Sequence, residues 1–64
     1  MMLEPSQVLR TLRHDLANPL SAILAETQLL LLSEEKYDAE TLAGLRQIEA
    51  LARRMRDMLQ DVDT

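Results

Sequence analysis

The chain has 64 residues with one His, one Gly and no Cys, Trp or Phe, and its formal net charge is -4. This length allows one small domain, and the missing Cys with a single His exclude disulfides and argue against a structural zinc. The acidic balance argues against nucleic acid as partner, and apolar runs of only four residues, as at Leu29 to Leu32, are far too short to span a bilayer.

Apolar residues make up 47% of the chain and are almost all Leu, Ala, Ile, Val and Met, a helical composition. A lone domain this small buries little surface, so oligomerisation is the remaining route to stability. No signal peptide is visible. The lack of Cys fits a cytoplasmic setting, which is compatible with a parent protein anchored in a membrane elsewhere. The Met-Met start reads as the edge of a piece from a longer protein.

The first predicted element is a helix over about 5–32. Pro5 suits its first turn, where a missing N–H costs nothing. Leu9, Leu16, Ile23 and Leu30 recur every seven residues. With Leu9 as heptad position a, Leu12 is d, and Leu20 and Thr27 at e widen the stripe, as in a bundle helix. A polar turn over about 33–38 follows. The second helix is expected over about 39–62, with Asp38 as N-cap and Glu40 in the first turn. Ile48, Met55 and Val62 fall at a, Leu51 and Met58 at d, and Leu45, Ala52 and Leu59 at e. Arg53, Arg54 and Arg56 lie toward the end that favours cations; with Arg10 and Arg13 they could also meet an acidic partner.

At about 1.5 Å per residue the helices run roughly 40 and 36 Å, well matched for pairing. The expected fold is therefore all-α: an antiparallel two-helix hairpin that homodimerises into a four-helix bundle. The rival architecture is one continuous helix in a two-stranded coiled coil, which the width of the stripes disfavours.

The chemistry concentrates in His14-Asp15-Leu16-Ala17-Asn18-Pro19-Leu20. His14 falls at f, farthest from the stripe, Asp15 at g and Asn18 at c. Residues four apart share a helix face, so His14 and Asn18 lie one turn apart. A neutral imidazole on an exposed ridge is a usable nucleophile, and a neighbouring carboxylate can orient it and take its proton. Pro19 removes a helical N–H and clashes with the carbonyl of Asp15, at about 3 kcal/mol. That kink beside a polar cluster points to function rather than stability. Met55 and Met58 read as core fillers.

This stretch resembles the H-box of sensor histidine kinases: His, an acidic residue, an apolar residue, a variable and often basic residue, Thr or Asn, Pro and Leu. Ser21-Ala22-Ile23 also fits, and the two-helix layout extends the resemblance over essentially the whole chain. It implies a dimerisation and histidine phosphotransfer domain. By that resemblance His14 accepts the γ-phosphoryl group of ATP and passes it to an Asp of a response regulator receiver domain. Asp15 corresponds to the general base and Asn18 to the residue that positions water for dephosphorylation. Pro19 corresponds to the bend that lets the first helix flex. Receiver docking is implied around Ala17, Ser21 and Leu24, although Leu24, at b, is placed equally well inside the bundle. Asp stands where Glu is commoner, and Ala17 stands where a basic residue is frequent.

A chain with one Gly holds no glycine-rich nucleotide loop. ATP and Mg are therefore expected on a separate ATP-binding catalytic domain, with no cofactor or metal bound by this chain. Two other readings stay open: a silent dimerisation and signal-coupling module, and a stand-alone histidine phosphotransfer protein.

Overall fold

The computed structural model describes residues 4–61. Helix α1 spans Pro5–Leu31, a single 3-10 turn spans Glu34–Lys36, and helix α2 spans Ala39–Asp61. α1 and α2 pack against each other as an antiparallel hairpin, a rod of 52 × 16 × 14 Å. The continuous-helix alternative is thereby excluded. α1 ends one residue before the expected boundary, and Val62 lies outside the described residues. No helix among the described residues is long and apolar enough to cross a membrane.

Local chemistry sets each boundary. At the start of α1 the Glu4 N–H donates to the Gln7 side chain at 3.2 Å, and Pro5 occupies the first turn. At its end the hydrogen bonding tightens: Leu32 and Ser33 N–H groups donate to the carbonyls of Leu29 and Leu30, each at 3.2 Å. The Leu30 carbonyl also accepts the Tyr37 hydroxyl at 2.9 Å, which folds the turn back onto the helix. An ion pair between Glu34 and Arg46 ties the turn to α2. Asp38 starts α2: its Oδ1 accepts the Thr41 N–H at 2.8 Å, and its carbonyl accepts the Leu42 N–H.

The arginines do not reach the last turn of α2. Arg53 pairs instead with Glu49 at 3.4 Å, one turn back, and Arg56 with its neighbour Asp57 at 3.8 Å. Their placement serves side-to-side pairing more than the helix dipole.

The hairpin core uses the e edge of the stripe that the heptad frame singled out, together with b positions outside it, and leaves a and d aside. Leu20 and Leu24 of α1 and Ala52 of α2 form it, with Leu59 packed against them. Arg13, Ala17 and Leu31 in α1, and Leu42, Leu45 and Glu49 in α2, are half-buried along the same line. In the heptad frame these residues all stand at b and e. Thr27, the one buried polar side chain among the described residues, donates its hydroxyl to the Ile23 carbonyl at 2.7 Å. The a and d positions remain open. Leu9, Leu12, Leu16, Ile23, Leu30, Ile48, Leu51, Met55 and Met58 are each between 46% and 59% exposed.

Two predictions follow from this packing. Leu24 is 7% exposed, and truncating it to Ala should destabilise the domain by about 2–4 kcal/mol in urea unfolding. A result under about 0.5 kcal/mol would place Leu24 outside the core. The second concerns Asp38, whose carboxyl is held below its ordinary value by the Thr41 side-chain hydroxyl and then by the Thr41 N–H. A depressed folded value means the cap contributes stability above pH 3.8, lost as pH falls through the folded value. Asp38→Asn, which keeps an accepting oxygen, should therefore show a shallower loss of thermal stability than wild type between pH 5 and pH 2.

Candidate functional site

His14 sits in the third turn of α1, at f, on the face opposite the open a/d stripe. The f position predicts solvent exposure, and the His14 side chain is 73% exposed. Asp15, the next residue along, is 70% exposed, and its Oδ1 lies 4.0 Å from His14 Nδ1. That separation is longer than a hydrogen bond, but a small rotation of either exposed side chain closes it. With Nδ1 on the carboxylate side, Nε2 is the nitrogen left to meet a reactant. Asn18, one turn further on, is also exposed.

α1 runs through Pro19 as one uninterrupted α-helix. Proline offers no N–H, so the helical acceptor four residues earlier, the Asp15 carbonyl, loses its normal partner. The weakened turn thus coincides with the His14-Asp15 pair. The Pro19 ring is turned toward the open stripe. It lines a shallow groove of about 360 Å³ with Leu16, Ile23, Met55 and Met58, while Leu20 and Leu59 belong to both groove and core. Met55 and Met58 are therefore surface residues of the isolated hairpin rather than fillers of its core. One stretch of helix carries both features: an exposed imidazole on one side and an apolar groove on the other.

The structure separates the three residues associated with docking. Ser21 is exposed and Ala17 is half-buried. Leu24 is buried against the second helix, so it offers no surface to a partner while the hairpin is closed. The physical reason is its b position, which lies on the line facing α2. Arg13, also on that line, is half-buried, whereas Arg10 is exposed. Sequence reasoning missed the tether of the turn, Tyr37 to the Leu30 carbonyl and Glu34 to Arg46. The first depends on a fold-back that no periodicity encodes, and the second joins residues twelve apart.

Among the described residues no three His, Cys, Asp or Glu side chains gather closely enough to hold a metal ion. What the arrangement offers is one exposed imidazole, an adjacent carboxylate and an amide on the same ridge. Comparison with curated proteins and with solved structures brings no match. A family description does match, that of the His Kinase A (phospho-acceptor) domain, over residues 5–64. The described part is all helix and turn, as that helical hairpin family requires, and His14 stands exposed on its first helix. The chain belongs to the His Kinase A phosphoacceptor family, the domain type of sensor histidine kinases in two-component signalling.

Proposed function

We propose that this chain is the dimerisation and phosphoacceptor domain of a sensor histidine kinase, with His14 as the phosphorylated residue. The observation that carries the reading is the exposed His14 with Asp15 beside its Nδ1. In the reaction, Nε2 attacks the γ-phosphorus of ATP presented by a separate ATP-binding catalytic domain. The N–P bond forms as the bond to the bridging oxygen breaks, and ADP leaves. Asp15 holds the ring orientation and accepts the Nδ1 proton, so the ring does not retain the positive charge of the attack. A receiver-domain Asp carboxylate of a response regulator then takes the phosphoryl group, breaking the N–P bond, while Asp15 returns the proton to Nδ1 and restores neutral His14. Asn18, on the same face, is suited to hold a water against a phosphorylated receiver. ATP and its Mg stay with the catalytic domain, and this chain supplies nucleophile, base and scaffold. A cytoplasmic location follows from that role, because ATP and the regulator are found there.

The second half of the proposal is a homodimer. The hairpin exposes 5290 Å², roughly a quarter more than the about 4,200 Å² typical of a folded chain of this mass. The excess belongs to a thin rod whose a/d stripe is open along both helices. Joining two copies by a two-fold axis along the rods closes both stripes into a four-helix bundle. The area removed, on the order of 1,000 Å² per copy, is that of a stable interface. In the bundle His14 stays outward, on the face opposite the one that packs. Receiver docking would use the outward side of α1 around Ser21 and the edge of Ala17, without Leu24.

Phosphotransfer onto the purified domain tests the chemistry. With a separately expressed kinase catalytic domain and ATP, or with phosphoramidate, wild type should gain an acid-labile label that moves to a receiver domain. His14→Gln should gain none with its helicity intact. Asp15→Asn should slow labelling by about 100-fold or more, in line with loss of a positioned base. A folded wild-type dimer that takes no label from any donor would leave dimerisation and signal coupling as the function. Pro19 gives a separate test. Pro19→Ala returns an N–H to the Asp15 carbonyl and should raise stability by up to about 3 kcal/mol in urea unfolding, while slowing phosphotransfer. Faster phosphotransfer in that variant would reject a functional role for the weakened turn.

A further inference from the structure

Gly44 is the only glycine, and it lies inside α2 rather than at a cap or turn. Glycine is unfavourable in a helix interior relative to alanine, so the position needs a reason. The hairpin offers none. No glycine has a positive φ. A Cβ built on Gly44 would meet nothing within 4 Å, and the residue is exposed. Alanine would fit the isolated chain and favour its helix.

The place of Gly44 in the open stripe supplies the reason. With Ile48 at a, Gly44 falls at d, in series with Leu51 and Met58. It is the one d position of α2 among the described residues without an apolar side chain. Leu30, at a on α1 and 49% exposed, stands at the same end of the rod, next to the turn. The Tyr37 hydroxyl bond to the Leu30 carbonyl and the Glu34–Arg46 pair hold both helices in register there. A two-fold axis along the rod keeps Leu30 of one copy level with Gly44 of the other.

The geometry points to Gly44 as a notch in the dimer interface that receives Leu30 of the second copy. This rests on the dimer reading above and adds to it the register of the two hairpins at the turn end. The missing side chain lets the Leu30 knob seat against the α2 backbone, so the two copies close most tightly at the turn end. The looser end is then the one that carries His14 and Pro19.

Sedimentation equilibrium on four variants tests the assignment, with helicity checked by circular dichroism. Gly44→Leu fills the notch and should raise the dimer dissociation constant by about tenfold or more. Gly44→Ala should raise it several-fold, even though alanine favours the helix. Ala43→Leu, one residue away and exposed, should leave it within about twofold of wild type. Adding Leu30→Ala to Gly44→Leu should recover affinity relative to Gly44→Leu alone. Gly44 variants that dimerise as tightly as wild type would overturn the notch while leaving the dimer in place. A double variant no tighter than Gly44→Leu would remove Leu30 as the knob. Wild type that stays monomeric into the millimolar range would overturn the dimer and the notch together.

Discussion

Everything in this structure depends on the fact that each helix carries two apolar lines, offset around its axis. One line, at the b and e positions, packs α1 against α2 through Leu20, Leu24, Ala52 and Leu59. The other, at a and d, is left facing water. A helix with one line makes a hairpin and stops. A helix with two makes a hairpin that is unfinished, because burying the second line returns about 25 cal/mol for each Å² of apolar surface. The inner line mixes Leu20, Leu24 and Leu59 with the small Ala17 and Ala52. The outer line carries Leu9, Leu16, Ile23, Met55 and Met58, all of them exposed in the hairpin.

The same offset positions the chemistry. With two lines committed to packing, the f, c and g positions are what remains for solvent. His14, Asn18 and Asp15 occupy them on consecutive turns. The polar face of the candidate site therefore stays hydrated whatever happens at the packing lines. Pro19 links the two sides. Its lost hydrogen bond falls at Asp15 on the polar ridge, and its ring lines the apolar groove. A change in packing at the groove would be felt at the one turn where α1 is short of a backbone bond.

The turn is held by contacts that have little to do with either line. Tyr37 reaches back to the Leu30 carbonyl, Glu34 pairs with Arg46, and Asp38 caps α2. Three separate polar contacts on so short a connection fix how α2 leaves α1, and hence which residues face each other along the rod. Glycine at position 44 lies inside this tethered region, two residues before Arg46.

Much of this was legible in the residues alone. Helix boundaries followed from Pro5, Asp38 and the polar stretch after Leu32, because capping and helix breaking are local effects. The candidate site was legible for the same reason: His14, Asp15, Asn18 and Pro19 lie within six residues on one helix, so spacing alone sets their relation. What the periodicity did not decide was which apolar line each hairpin uses for itself. Leu20-Leu24-Thr27-Leu31 and Leu9-Leu16-Ile23-Leu30 are both valid helical stripes, and a single helix cannot rank them. Only the packing of α1 on α2 assigns Leu24 to the core and Met55 and Met58 to the surface, because that choice depends on the fit between side chains of two helices and on a turn that fixes their rotation.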